Sequence, residues 1–271
     1  MPRTYRELIE DAVLSDGEYN VKTERKYFGK ISVTFSDGLK NGHTYITVST
    51  REDLFHNPEA KKRMTEEVKR HLAYYMKKMR LSPQSKILVL CLGNEKITAD
   101  SLGANVAERL LVTSHAYKDE GVRGRYGNLC LLKCGVSGTT GIESFDVALG
   151  TVKQVKPDMV IAVDTLACSS VARLGRTVQF SDGGIEPGGG VGNAKKSLTF
   201  DSLKIPVLAI GVPLVIYATR ILSEYSSGKI KTDDDIKELV VAARETDFLC
   251  QDFADVIAGA VNGVVHNLVY S

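Results

Sequence analysis

The chain has 271 residues, of which 43% are hydrophobic and 25% charged, a composition that excludes intrinsic disorder and allows a substantial core. Thirty-five basic and 33 acidic residues give a formal charge of +2, so no global basic field argues for nucleic acid as a partner. No apolar run approaches the roughly 18 residues that span a bilayer, and none follows Met1; a soluble, cytoplasmic protein without a membrane partner is expected.

In chain order, the first 27 residues are polar, mixed in charge and without period, and read as a tail or a removable extension. Alternation over Lys30–Phe35 and Thr44–Val48, with Asn41-Gly42 in the turn-rich segment between, predicts an N-terminal β-hairpin. Asn57-Pro58 opens an amphipathic helix to about Arg80, with Asn57 as N-cap. Its basic runs, Lys61-Lys62-Arg63 and Lys77-Lys78, read as a solvated face. Continuously apolar strands are predicted at Lys86–Leu92, Asn128–Lys133, Met159–Val163 and Ile205–Gly211. Helices are predicted at about Asp100–Leu111, Gly141–Val155, Pro213–Ser226 and Phe248–Leu268. This alternation predicts an α/β fold with a mostly parallel sheet flanked by helices on both faces.

The loops after these strands carry the unusual residues. Asp100, in Asp100-Ser101-Leu102-Gly103, fits two roles: N-cap of the next helix, or a carboxylate at the mouth of the sheet. Gly135–Glu143 sets glycines and two threonines, Thr139 and Thr140, at a helix start, which suits either a tight turn or backbone N–H groups presented to an oxyanion or a carbonyl. It is not a P-loop, because no Gly-Lys-Ser/Thr follows. Asp164 closes the third strand, where an ionised carboxylate beside Val-Ile-Ala-Val needs partners or a raised pKa. Ser181–Asn193 holds six glycines in thirteen residues and reads as a close approach to a ligand, a lid, or a flexible connection. Five cysteines, mostly in or beside apolar runs, read as reduced core residues without structural-zinc spacing. Cys168 has no sequence-local histidine to activate it, and neither a Gly-x-Ser-x-Gly elbow nor a His-Glu-x-x-His pair is present.

The motifs Leu92-Gly93-Asn94, Thr98-Ala99-Asp100-Ser101-Leu102-Gly103, Gly138-Thr139-Thr140-Gly141-Ile142-Glu143, Val160–Asp164, Gly190-Val191-Gly192-Asn193 and Ile205–Pro213 occur in one order. In these the chain resembles the germination protease family, spore endopeptidases that degrade small acid-soluble spore proteins. The resemblance implies a fold similar to that of the hydrogenase maturation proteases and a single peptidase domain over residues 25–271. Two catalytic aspartates are implied, matching Asp100 and Asp164; one carboxyl would stay protonated while the other activates water. Asn94, Thr139, Thr140, Glu143, Asp182, Gly190 and Asn193 are the implied substrate contacts, with no cofactor and no metal. A zymogen is implied, with residues 1–24 as a possible propeptide cut at Glu24-Arg25, as is a homo-oligomer, plausibly a tetramer, in the spore core. Departures from the family pattern are Arg25 where an aliphatic residue is usual, Glu186 where histidine is common, Tyr217 where an acidic residue is common, and a shorter segment after Ser226. The same carboxylates as metal ligands, or a homologue that binds without cutting, are the alternatives.

Overall fold

The computed structural model describes residues 22–37, 42–187, 196–226 and 234–267. Its strands are β1 (Lys22–Phe28), β2 (Ile31–Asp37), β3 (Tyr45–Thr50), β4 (Lys86–Cys91), β5 (Asn128–Lys133), β6 (Met159–Cys168), β7 (Thr177–Ser181), β8 (Val207–Tyr217) and β9 (Val240–Ala242). Its longer helices are α1 (Pro58–Lys78), α2 (Leu102–Ala107), α3 (Ser144–Val155), α4 (Ala218–Tyr225) and α5 (Thr246–Asn267). Among the described residues the strands form one sheet in the order β1-β2-β3-β7-β8-β6-β4-β5, with β9 paired to the end of β8.

Period-two alternation divides the side chains of this sheet between two apolar layers. On one face, Val89, Ile161, Val178, Phe180 and Ile210 pack with Met64, Val68, Leu72 and Tyr75 of α1 and with Phe253, Ile257 and Val261 of α5. On the other, Leu88, Leu90, Val160, Ala162 and Ala209 pack with Phe145, Ala148 and Val152 of α3. Each fully buried aliphatic or aromatic side chain contributes about 1.5–3 kcal/mol, which makes these layers the main source of stability. Asn57 caps α1 as expected, accepting from Ala60 N at 3.0 Å. By length and composition α5 is apolar enough to cross a membrane, which the run-length reading of the sequence did not register. Burial inside the protein accounts for 61% of that apolar window.

The predicted hairpin is present as β2 and β3, but the sheet is mixed rather than mostly parallel. Only β5, β4, β6 and β8 run parallel. The hairpin continues the sheet antiparallel through β3 and β7, and β9 folds back antiparallel on β8. Short links such as Ser169–Arg176 are below the dozen or so residues that a parallel crossover needs.

Two elements are longer than their sequence pattern suggests. β6 runs to Cys168 and β8 to Tyr217, because they stay paired with each other beyond the apolar core. Asp164 therefore lies within a strand and does not close one. Pro213 had the look of a helix start; it sits instead beside a bulge between Leu166 and Ala167, where its missing N–H is tolerated. The helix expected from Pro213 begins at Ala218, and the one expected from Asp100 is a Thr98–Asp100 turn followed by α2.

Candidate active site

The site is built around the C-terminal end of β4. Leu92 N donates to Val163 O at 2.9 Å, keeping the chain beside β6 for one more residue. The segment Thr98–Gly103 then folds back onto that end, and two glycines permit it. A Cβ on Gly103 would lie 2.1 Å from Leu92 O. A Cβ on Gly93, which has φ of +97°, would lie 2.2 Å from the Asp100 carbonyl oxygen and 3.1 Å from Asp100 Oδ1.

In this setting Asp100 is half-buried, and its carboxylate turns back to accept from Asn94 N at 2.9 Å. It is not a helix cap: Ser101 holds the cap position of α2. Burial pushes the Asp100 carboxyl above its ordinary value, and the Asn94 amide pulls the other way. The Asn94 side chain braces its own turn by accepting from Lys96 N at 3.0 Å. Behind Asp100, Ser101 Oγ donates to Thr98 O at 2.9 Å, accepts from Asn105 Nδ2 at 3.0 Å, and touches Cys250 Sγ of α5 at 3.4 Å.

Asp164 stands one rung past the Cys91–Val163 pair, opposite Gly211 of β8. It is 6% exposed and accepts from Thr165 N at 2.9 Å. Strand parity directs it to the face of Val160 and Ala162. Gly211 leaves room for Leu166, whose Cδ1 would lie 2.5 Å from a Cβ there. Burial and then the charge of Asp164 push the Cys134 thiol up to about 12, and burial with Cys134 does the same for Cys91. These thiols stay protonated and are poor nucleophiles.

A pocket of about 400 Å³ opens at the ends of β4 and β5, with Asn94, Lys133, Cys134, Thr139 and Thr140 in its wall. Neither aspartate is in that wall: Asp100 is bonded to Asn94, which is, and the charge of Asp164 acts on Cys134, which is also part of it. Lys133 and Glu95 pair across the rim at 2.7 Å. Thr139 and Thr140 hydroxyls both donate to Val136 O, at 3.0 and 3.1 Å, and so brace the Ser137–Thr140 turn. Glu143 occupies the cap position of α3 without a side-chain cap bond.

Other sequence-predicted residues lie elsewhere. Asp182 follows β7, which runs antiparallel to β8, and so lies toward the opposite end of the sheet. There it accepts from Thr44 N at 2.8 Å and Lys78 Nζ at 2.6 Å, tying the hairpin to the end of α1. Glu24 and Arg25 are within β1, paired with Phe35 and Thr34. Gly190 and Asn193 lie outside the described residues. Cys134, Lys133 and Glu95 were not singled out as site residues from the sequence. Lys133 and Cys134 stand at the end of β5 and Glu95 in the turn after β4, and that closeness to two adjacent strand ends is the signal that marks them.

The fold and site together define an α/β protein with a pocket at the ends of two parallel strands, β4 and β5, and with a half-buried Asp100 and a buried Asp164 in the segments that follow and flank β4. The profile of the germination protease family matches residues 20–227, which hold all of β1 to β8, and the chain belongs to that family. It is 41% identical to the germination protease of Bacillus velezensis over 189 residues, 69% of this chain and 51% of the relative. It is 36% identical to that of Bacillus cytotoxicus over 218 residues, 80% and 59% of the two chains. For Priestia megaterium the identity is 29%, over 86% of this chain and 80% of the relative. The chain thus spans about half the length of the first two curated relatives it matches.

Proposed function

We propose that this chain is an endopeptidase that hydrolyses small acid-soluble spore proteins during germination, with Asp100 and Asp164 activating water. The observation that carries this reading is that Asp100, half-buried after β4, is desolvated and held by the Asn94 amide, while a second carboxylate, Asp164, is buried in the neighbouring strand β6. Desolvation favours a neutral carboxyl at one position, which donates a proton to the leaving amine. The other carboxylate accepts the proton of the attacking water. Asn94, Thr139 and Thr140 line the pocket and would orient the peptide; Glu143 stands at the start of the next helix.

Further parts of the reading are a propeptide over residues 1–24 with one peptidase domain after it, a likeness to the hydrogenase maturation proteases, and a homo-oligomer in the spore core. Supporting the processing step, the Glu24–Arg25 bond lies in an edge strand with β2 on one side, a stretch that can be released by unpairing a single ladder. The test is intact-mass analysis of a small acid-soluble spore protein after incubation with the parent and its Asp100→Asn and Asp164→Asn variants, with and without chelator. Fragments that appear with the parent, persist in chelator and vanish in both variants support the two-aspartate reading. Fragments lost in chelator assign the carboxylates to a metal instead.

A further inference from the structure

The sheet has an edge beside the pocket. Among the described residues, strand β5 is bonded to β4 on one side only. Cys134 N donates to Cys91 O at 3.0 Å, which fixes the phase of that ladder. Even-numbered residues of β5 turn their backbone groups toward β4, and Leu129, Leu131 and Lys133 turn theirs outward. The outward groups of Leu129 are taken: Thr113 N donates to its carbonyl and its N–H donates to Thr113 Oγ1, both at 3.0 Å. Beyond it, no described residue bonds the outward N–H and C=O groups of Leu131 or Lys133. Burial falls along the strand in the same direction, from buried Leu129 through half-buried Leu131 to exposed Lys133.

We infer that the Leu131–Lys133 edge of β5 is the docking strand for substrate, which binds as an extended peptide added to the sheet; the inference rests on the peptidase reading above. The edge presents alternating backbone donors and acceptors, so its complement is another backbone in β conformation. It is also continuous with the pocket, since Lys133, Cys134 and Gly135 are all in the pocket wall. At about 3.3 Å per residue, a peptide paired at Lys133 reaches across the pocket mouth with its next two or three residues. The opposite edge, β1, stands at the far end of the sheet and supplies nothing to the pocket. Substrates are therefore chain segments free to become extended, with no proline where Leu131 and Lys133 need a partner.

The test uses a small acid-soluble spore protein as the probe. Amide hydrogen exchange of the full chain, in its Asp100→Asn form, is expected to slow at Leu131 and Lys133 when the probe is added, with β1 unaffected. Leu131→Pro removes one outward N–H and no ladder bond, and is expected to raise KM of the parent about five- to tenfold, the effect of one backbone hydrogen bond. If that variant does not fold, probe peptides N-methylated at successive amides replace it, and one methylation position is expected to raise KM by the same factor. Cleavage by the parent with no protection at Leu131 and Lys133 overturns the docking strand and leaves the peptidase reading standing. Protection without cleavage does the reverse, and absence of both overturns both.

Discussion

Gly93→Ala isolates the contact that seats Asp100. The new Cβ would start 2.2 Å from the Asp100 carbonyl oxygen, whereas Cβ contacts below 3.0 Å essentially do not occur, so one of the two must move by at least 0.8 Å (3.0 less 2.2). The backbone also has φ of +97°, which disfavours alanine by about 1–3 kcal/mol. The Asn94 amide that holds Asp100 Oδ2 at 2.9 Å is on the adjacent residue, so the movement misplaces the carboxylate itself. A loss of about 2–4 kcal/mol in urea unfolding is expected, adding backbone strain to overpacking. A misplacement near 1 Å lowers the cleavage rate by about a hundredfold, measured where the variant is still folded. Gly150→Ala is the control: it lies exposed in α3 with nothing within 4 Å of its would-be Cβ, and stabilises by up to about 1 kcal/mol. A Gly93→Ala protein with parental stability and cleavage rate would refute the argument that this glycine seats Asp100.

Asp100→Asn keeps an oxygen for the Asn94 amide and removes a desolvated charge. Since the folded carboxyl is raised, its ionised form disfavours folding above that pKa; the variant's melting temperature at pH 7 is therefore expected to equal or exceed the parent's, and a marked drop would contradict the burial argument. Gly211→Ala pushes on Leu166 beside Asp164 and is expected to destabilise by about 1–3 kcal/mol in thermal unfolding. His71 is buried against Phe35 and lowered from 6.5 to about 4 by desolvation. It is neutral in the fold and charged sooner when unfolded, so stability present above pH 6.5 is lost as pH falls toward 4, by at most about 3 kcal/mol. The raised carboxyl of its neighbour Glu67 opposes part of this loss, and His71→Gln is expected to flatten the slope in urea titrations across that window. Asp182→Ala loosens the hairpin by about 1–2 kcal/mol. Its KM is expected to be unchanged, which separates a clasp from a substrate contact.

The sequence pattern located α1 and the four parallel strands because each rests on local chemistry, an Asn-Pro helix start and apolar runs, and it placed Asp100 just after β4. Long-range pairing escaped it. β7 is only five residues long, and the ends of β6 and β8 lie beyond the apolar runs, with Pro213 interrupting β8, so these segments are fixed as strands by their pairing with one another. Asp182 was misleading for a related reason, since its glycine-rich context suggested a ligand loop while its actual partners, Thr44 and Lys78, are more than a hundred residues away in sequence. Asp100 was legible as a carboxylate just after β4, but its hold on the Asn94 amide depends on two close backbone approaches at Gly93 and Gly103 that no local pattern reveals.

The most direct measurement is the cleavage of a small acid-soluble spore protein followed by intact mass, comparing the parent with the Asp100→Asn and Asp164→Asn variants, each first verified to melt cooperatively. The account predicts discrete fragments with the parent and none with either variant. Fragments formed at the parental rate by either folded variant would contradict it.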